Sequence, residues 1–266
     1  MGIFRQAKLL YEKRTRDQTI QVIQNSGKLE LRFGNHIIQS SVSETKPEQL
    51  LLEYTQAMMV GFALNPDATN TLQVGLGAGS IAHFIYHHFP KCEQDIVEIS
   101  PEVIEAAYRH FGIPHSPRLK ITEADGAEFV QSSDQRYHLV FQDAFLADGV
   151  AEHLQTDEYY KHLGRILSPG GWLVNNVWGS NEAALRVVSQ KLGNIFPQLY
   201  SISVGVGTNV IFFGSFDRRP VNLRQTLLRA EALSEELSFS LARWVRGLQR
   251  VKQIESVGWA RPIARI

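Results

Sequence analysis

Between residues 71 and 195 the chain alternates between two hydrophobic periodicities. Short apolar runs with the length of buried strands are followed by segments whose apolar residues recur every three or four positions, as in amphipathic helices. This alternation predicts a parallel sheet with helices on both faces. Strands are expected at Thr71–Val74, Gln94–Ile99, Leu119–Thr122, Tyr137–Gln142 and Trp172–Val177. Helices are expected at Ser80–Phe89, Glu102–Phe111, Ala127–Gln131, Asp157–Leu167 and Asn181–Ile195.

Two further apolar runs, Gln198–Val204 and Asn209–Phe213, come next in the chain with no helix between them. The segment GVGT at residues 205–208 joins them, and short glycine-rich connections form antiparallel hairpins rather than crossovers. The pattern therefore predicts an α/β fold with a Rossmann-like, seven-stranded sheet of the methyltransferase type. It consists of five parallel strands plus an antiparallel terminal hairpin. The tail from Val221 to Val251 is expected to form one or two amphipathic helices.

The first part of the chain has a different pattern. Short alternating runs at Thr19–Gln24, Leu29–Phe33 and His36–Gln39 are separated by turn sequences, which is typical of a β-meander. A sheet this small is marginally stable alone, so we expect it to pack on the rest of the chain or on a second subunit. We place a small N-terminal β domain at residues 1–47 and a Rossmann-like domain with C-terminal helices at residues 48–266. The second domain is expected to open with a helix at residues 48–64.

Composition argues against several classes of protein. Lys and Arg total 27, as do Asp and Glu, so no net charge draws the chain to nucleic acid or to an anionic membrane. No apolar run of about 18 residues offers a membrane span. Cys92 is the single cysteine, which leaves no partner for an intrachain disulfide and suits a reducing compartment. We therefore expect a cytoplasmic protein with neither nucleic-acid nor membrane partners.

Candidate binding residues lie after the predicted strands of the parallel sheet. The segment GLGAGS at residues 75–80 comes directly after the first strand and opens a helix, so its backbone is suited to approach a ligand. Glu98 ends the second strand, where a carboxylate accepts the hydroxyl groups of a ribose. Asp125 and Gly126 follow the third strand, where an acid accepts from an adenine amino group, and Asp143 follows the fourth. Together they predict a nucleoside site at the carboxyl edge of the sheet.

The glycine spacing argues against a nicotinamide cofactor. Gly75, Gly77 and Gly79 allow the tight turn and the close approach of backbone to ligand that a nucleoside site needs. The dinucleotide-binding pattern requires its last glycine one position later, where this chain has Ser80. The antiparallel end of the predicted sheet also favours a methyltransferase-like protein over an oxidoreductase.

Across residues 29–215 the sequence resembles the spermidine synthase (polyamine aminopropyltransferase) family. The resemblance is carried by the small N-terminal β domain, the helix after it, and the segments VGLGAGS, IVEISPEVIEAA, EADGAEFV, YHLVFQDAF and LSPGGWLVNNVWG. It implies an enzyme that transfers an aminopropyl group from decarboxylated S-adenosylmethionine to an amine. No metal is implied.

The resemblance also implies roles for individual residues. Gln39 and Glu98 would hold the sugar and the methionine-derived part of the nucleoside, and Asp125 would hold the adenine. Asp143 would act as the base for the acceptor amine. Tyr54 falls near the active-site tyrosine of the family.

Three positions depart from the pattern of that family. Ala78 stands where the family carries the aspartate that holds the aminopropyl ammonium, and Leu146 and Ala147 replace an aspartate and a proline after the fourth strand. A buried diamine lacks counter-charges without these carboxylates. Asp148 and Glu152, in the next loop, are candidate substitutes in the substrate site. Putrescine is therefore a doubtful acceptor.

Several other side chains have both a functional and a structural interpretation. Trp178, just past the fifth strand, either lines the substrate pocket or caps the core. His83 and His87 have the spacing of zinc ligands on a helix, but Phe84 stands where a zinc protease has its glutamate, so a solvated helix face is expected. His153 is expected to be an exposed loop residue rather than a base.

Three functions remain open at this point. The first is aminopropyl transfer from decarboxylated S-adenosylmethionine, and the second is methyl transfer from S-adenosylmethionine, which the loss of the aspartate at Ala78 favours. The third is a non-catalytic nucleoside-binding protein whose acceptor site has decayed. For the enzymes, the partner is a small-molecule amine or another nucleophilic acceptor. The edges of the N-terminal sheet predict a homodimer or homotetramer.

Overall fold

The N-terminal part of the chain forms an antiparallel sheet. The computed structural model describes residues 7–15, 18–34, 37–145, 151–178, 182–205 and 209–251. Four strands are hydrogen-bonded in chain order, and the predicted meander is thereby confirmed. The first of them is not predicted from the sequence, because KLLYEKR does not alternate between apolar and polar residues. The strands are β1 (Lys8–Arg14), β2 (Thr19–Asn25), β3 (Lys28–Phe33) and β4 (Ile37–Ser43).

One face of this small sheet packs on the rest of the protein. Ile20 and Leu31 are fully buried and belong to the same apolar cluster as Leu76, which lies in the glycine-rich segment. The contact brings β4 close to that segment, since a Cβ atom added at Gly77 would lie 3.1 Å from the Cβ of Ser40. The small sheet therefore contributes one wall beside the predicted nucleoside site.

The larger sheet is built from β5 (Asn70–Val74), β6 (Glu93–Glu98), β7 (Leu119–Glu123), β8 (Tyr137–Gln142), β9 (Leu167–Trp178), β10 (Gln198–Val204), β11 (Asn209–Ser215) and β12 (Gln249–Arg250). The order across the sheet is β7-β6-β5-β8-β9-β11-β10-β12. The strands from β7 to β9 are parallel, and β11 runs antiparallel between β9 and β10. The predicted arrangement of five parallel strands and a hairpin is confirmed. The two residues of β12 extend the edge beyond the seven predicted strands.

Helices connect the parallel strands, as predicted. The helix expected at residues 48–64 begins only at Glu53 and is interrupted at Met59. A 3₁₀ turn at Glu152–Gln155 lies between β8 and the next helix. Within the described ranges, no helix is both long and apolar enough to cross a membrane. The helices are α1 (Glu53–Met58), α2 (Val60–Leu64), α3 (Ser80–His88), α4 (Pro101–His110), α5 (Gly126–Ser132), α6 (Asp157–Arg165), α7 (Glu182–Ile195), α8 (Leu223–Glu236) and α9 (Leu241–Arg246).

The carboxyl ends of β5, β6, β7 and β8 meet at one edge of the sheet. Parallel strands end at the same edge, and open α/β sheets bind ligands in the crevice outside it. In this fold the N-terminal sheet and the 3₁₀ turn lie over the same edge, since residues from β4 and from Glu152–Gln155 border one cavity with the strand ends. The topology therefore places the predicted site residues around a shared space.

Candidate functional site

A cavity lies at the carboxyl edge of the central sheet. The lining atoms enclose about 970 Å³, part of which is open to solvent. The cavity extends from β4 and α1 on one side to the start of α5 and the 3₁₀ turn on the other. Of the residues predicted from the sequence, it brings together Gln39, Tyr54, Gly75, Gly77, Glu98, Asp125, Gly126 and Asp143.

The glycine-rich segment forms the floor of this cavity. Gly75 and Gly77 have φ angles of 93° and 57°, in the left-handed region that favours glycine. A Cβ atom at Gly75 would lie 2.4 Å from the backbone oxygen of Asp143, so no side chain fits there. The segment therefore runs directly against the end of β8, and its backbone faces the ligand space.

Glu98 connects the end of β6 to the glycine-rich segment. Its Oε2 accepts a hydrogen bond from the backbone N–H of Leu76 at 2.9 Å, and its Oε1 accepts from that of Ser100 at 2.9 Å. Burial raises the pKa of Glu98, and these backbone donors partly offset the effect. Each carboxylate oxygen can accept a further hydrogen bond. The group can thus hold the loop and a ribose at the same time.

Asp125 caps helix α5 and contacts the 3₁₀ turn. Its Oδ1 accepts from the backbone N–H of Ala127 at 2.8 Å and of Glu128 at 3.1 Å, and its Oδ2 lies 2.9 Å from Nε2 of His153. Desolvation acts to raise the pKa of Asp125, but the backbone donors and His153 outweigh it, so the net pKa is lowered. Asp125 is therefore an ionised acceptor at this end of the cavity. The contact made by His153 is not evident from the sequence.

Asp143 occupies the opposite end of the cavity. Its Oδ1 accepts from Nδ2 of Asn176 at 2.8 Å, and its Oδ2 accepts from the hydroxyl of Tyr54 at 3.4 Å. Desolvation raises the pKa of Asp143 to about 6, and the two donors act in the opposite direction. Burial, together with the charge of Asp143, raises the pKa of Tyr54 well above its usual value. Tyr54 is therefore a hydrogen-bond donor, and Asp143 is the group that can take up a proton near neutral pH.

Asn176 is a site residue that sequence reasoning did not single out. It lies on β9 and is almost fully buried. Its Oδ1 accepts from Nδ2 of Asn209 at 3.0 Å, which directs its own Nδ2 at Asp143. The sequence signal is a pair of asparagines within an otherwise apolar strand, because a polar side chain in a central strand requires a partner.

Gln39 contributes a donor to the cavity. Within the described part of the chain, its Nε2 atom is buried and has no hydrogen-bond partner. Such a group is costly to bury unless a ligand or water satisfies it. Gln39 thus fits the predicted role of holding a polar part of the nucleoside.

Other predicted residues lie away from the cavity lining. Gly79 is the residue just before α3, and a Cβ atom there would lie 2.2 Å from the side chain of Ile113, so this glycine serves packing. Glu152 is exposed on the 3₁₀ turn. Trp178 is 44% exposed and meets the ring of Phe145, which does line the cavity, edge-on with centroids 6.5 Å apart. Leu146, Ala147 and Asp148 lie outside the described residues.

Of the two helix histidines, His87 is exposed as expected, whereas His83 is not. His83 is 7% exposed, and its Nε2 lies 2.8 Å from the backbone oxygen of Phe111. It is a hydrogen-bonded core residue, so the interpretation of a solvated His83 was wrong. Throughout the described segments, no three His, Cys, Asp or Glu side chains cluster in a way that could hold a metal ion.

The charged side chains described in the cavity lining are acidic. Its lining carries three carboxylates, from Glu98, Asp125 and Asp143, and none of the described lining residues is Lys or Arg. His153 is the one lining residue that can become cationic among them. A cationic ligand is therefore favoured over a neutral or anionic one.

Comparison with known proteins identifies similar sequences and structures. The model of the spermine/spermidine synthase domain matches residues 52–216. A polyamine aminopropyltransferase of Chromobacterium violaceum is 31% identical over 228 residues, covering 84% of this chain and 86% of that protein. A solved spermidine synthase in complex with the transition state analogue AdoDATO superimposes with a TM-score of 0.74 at 18% identity, covering 90% of this chain and 84% of the other. The structure of human methyltransferase-like protein 13 in complex with SAH superimposes with a TM-score of 0.64 at 26% identity, covering 79% of this chain and 96% of the other.

Proposed function

The chain belongs to the spermine/spermidine synthase family and is a transferase, and on this premise we propose that it moves an aminopropyl group from decarboxylated S-adenosylmethionine to an amine. The observation that carries the proposal is the charge of the cavity. Three carboxylates line it, and its described lining contains neither Lys nor Arg. Decarboxylated S-adenosylmethionine has two positive groups, a sulfonium and an ammonium. S-adenosylmethionine also has a carboxylate, and the one lining residue among those described that can become cationic, His153, already contacts Asp125.

The nucleoside part of the ligand is assigned to the end of the cavity near β6 and β7. We assign the ribose hydroxyls to Glu98, whose carboxylate already accepts from the backbone at Leu76 and Ser100. The adenine amino group is assigned to Asp125. Gly75, Gly77 and Gly126 provide the backbone surface on which the nucleoside lies, and Gln39 donates from β4. These assignments follow the resemblance residue by residue and are supported by the shared cavity.

The transfer itself is assigned to the end of the cavity with Asp143. The acceptor amine forms a bond to the aminopropyl carbon next to sulfur, the carbon–sulfur bond breaks, and its electron pair neutralises the sulfonium. Methylthioadenosine leaves, and Asp143 takes up the proton released by the amine. A pKa of about 6 makes Asp143 a stronger base than an ordinary carboxylate while it stays ionised at neutral pH. Tyr54 and Asn176 hold the carboxylate in place, and orientation of the amine supplies much of the remaining rate enhancement.

The acceptor is proposed to be an amine without a second ammonium group. Among the described lining residues, Asp143 is the carboxylate at the reacting end of the cavity. Leu146 and Ala147 stand where the family pattern has an aspartate and a proline. Asp148 and Glu152 remain proposed substrate contacts, although Glu152 is exposed in this structure. Trp178 is proposed to contact the acceptor side through Phe145.

Methyl transfer from S-adenosylmethionine is the second candidate. It is supported by Ala78 and by the likeness to human methyltransferase-like protein 13. Calorimetry with S-adenosylmethionine, its decarboxylated form and methylthioadenosine separates the two proposals. The aminopropyl proposal requires the decarboxylated form to bind more tightly than S-adenosylmethionine, whereas the reverse order supports methyl transfer.

The assembly and location of the protein are also proposals. A homodimer or homotetramer is supported by the N-terminal sheet, where Leu9 and Ile38 are about half exposed on the edge strands β1 and β4. A cytoplasmic location is supported by the single, buried Cys92. Light scattering at micromolar concentration tests the first proposal, because a monomer under those conditions contradicts it.

A further inference from the structure

Gln73 is a buried polar residue in the middle of the central sheet. It lies on β5, two positions before Gly75, and is 3% exposed. Central parallel strands are covered on both faces and usually carry apolar residues, so a glutamine there requires hydrogen-bond partners. Gln73 also lines the cavity described above.

The orientation of the Gln73 amide is fixed by one contact. Its Nε2 donates to the backbone oxygen of Gly75 at 2.6 Å. Because a carbonyl oxygen can only accept, the nitrogen must face Gly75. The other end of the amide, Oε1, is then directed elsewhere. In the described part of the molecule this oxygen is buried without a hydrogen-bond partner.

Strand register places Gln73 on the same face of the sheet as the reacting end of the cavity. Gln73 pairs in register with Phe141 of β8, so the two side chains project from one face. Asp143 follows Phe141 by two positions and contacts Tyr54, which also lines the cavity. Gln73 therefore lines the cavity on the same face of the sheet as Asp143, next to the glycine-rich segment.

We propose that Gln73 Oε1 accepts a hydrogen bond from the primary ammonium group of the nucleoside co-substrate. An ammonium has three donors and no acceptor, which suits an acceptor held rigidly in a wall that lacks other partners. Position 78 cannot serve, since Ala78 is fully buried and lies outside the lining. This inference rests on the proposed function and adds the residue that recognises the aminopropyl end of the co-substrate.

The test compares a ligand that has the aminopropyl ammonium with one that lacks it. Decarboxylated S-adenosylmethionine carries the ammonium together with a sulfonium, whereas methylthioadenosine has the same nucleoside with a neutral thioether and no aminopropyl group. The effect of each variant is therefore read as a change in the ratio of the two affinities. Calorimetry measures both affinities for the unmodified protein, for Gln73→Met, which fills similar space with only a weakly accepting sulfur, and for Gln73→Glu, whose buried, protonated carboxyl can donate to Gly75 and keep a carbonyl acceptor. Thermal unfolding of each variant reports on the fold.

Gln73→Met is expected to weaken binding of the decarboxylated co-substrate about tenfold or more while changing methylthioadenosine binding little. Gln73→Glu is expected to keep the preference for the decarboxylated form over methylthioadenosine, because a protonated carboxyl retains one donor and one acceptor. Equal losses for both ligands would indicate that Gln73 only supports Gly75, and unchanged affinities would indicate that water satisfies Oε1; either result overturns the inference. If Gln73→Met does not fold, the same comparison in Gln73→Leu, which also lacks the amide acceptor, decides.

The same experiment separates this inference from the proposed function. If the unmodified protein does not bind the decarboxylated form, the proposed function fails. If it binds that form and Gln73→Met leaves the ratio of the two affinities unchanged, the assignment to Gln73 alone fails.

Discussion

Asn176 holds the carboxylate of Asp143 through a hydrogen bond of 2.8 Å and is itself held by Asn209. The two asparagines lie on the neighbouring antiparallel strands β9 and β11, so the terminal hairpin of the sheet takes part in the site. Donation from Asn176 stabilises the ionised form of Asp143 against the desolvation that raises its pKa to about 6. The protonation of the proposed base is therefore coupled to the strand that ends the parallel part of the sheet.

The pH dependence of activity is determined by this arrangement. Asp143 must be ionised to accept a proton, so kcat is expected to fall as the pH decreases through about 6. Asn176→Leu removes a donor that lowers the pKa, so the acidic limb of the profile should move to higher pH. Asn209→Leu leaves Asn176 in place but frees its amide, so a smaller shift in the same direction is expected. If the pH profiles of the unmodified protein, Asn176→Leu and Asn209→Leu coincide, Asn176 does not stabilise the ionised form of Asp143.

Glu98 is expected to determine affinity for the ribose. Glu98→Gln should weaken methylthioadenosine binding by about one to two orders of magnitude, because a charged acceptor is lost and an amide nitrogen then faces a backbone N–H. Calorimetry measures the effect. Glu123→Gln is the matched control, since Glu123 pairs in register with Glu98 at the end of β7 but is exposed and outside the lining. Equal affinities for the Glu98→Gln and Glu123→Gln variants would show that the ribose is misplaced.

Putrescine is expected to be a poor acceptor. A diamine needs one amine neutral for attack and the other held as an ammonium, and Leu146 stands where the family pattern has the second aspartate. An unpaired buried charge typically costs about 3–5 kcal/mol, or roughly two to four orders of magnitude in rate. An assay with decarboxylated S-adenosylmethionine should therefore show slow turnover that Leu146→Asp increases. Turnover of putrescine by the unmodified protein on the order of 1 per second contradicts the importance of the missing carboxylate.

The hydrophobic periodicity of the sequence was sufficient to predict the α/β fold class and the seven main strands of the central sheet. The strands and crossover helices each have a local pattern, and a short glycine-rich connection distinguishes a hairpin from a crossover. The first strand was missed because Lys8–Arg14 is stabilised by pairing with β2 rather than by its own alternation. The exposed position expected for His83 was wrong because its partner, the backbone oxygen of Phe111, lies 28 residues away in the chain.

Part of the candidate site could also be predicted, because the sequence pattern shows where the parallel strands end. Glu98, Asp125 and Asp143 lie at or just after the ends of strands of the parallel sheet, and parallel strands end at one edge. Gln73 and Asn176 lie within strands, where the sequence pattern indicates only a buried position. Their roles depend on the direction of an amide, which is set by Gly75 in one case and by Asn209 in the other.

Aminopropyl transfer is tested most directly by identifying the product that the protein makes from each form of the co-substrate. Purified protein is incubated with decarboxylated S-adenosylmethionine or with S-adenosylmethionine, in the presence of primary monoamines or putrescine, and the products are identified by mass spectrometry. Asp143→Asn serves as the control for catalysis. We predict methylthioadenosine and an aminopropylated amine from the decarboxylated form, with little product in the control. Formation of S-adenosylhomocysteine and a methylated acceptor from S-adenosylmethionine, with the decarboxylated form unreactive, would contradict aminopropyl transfer.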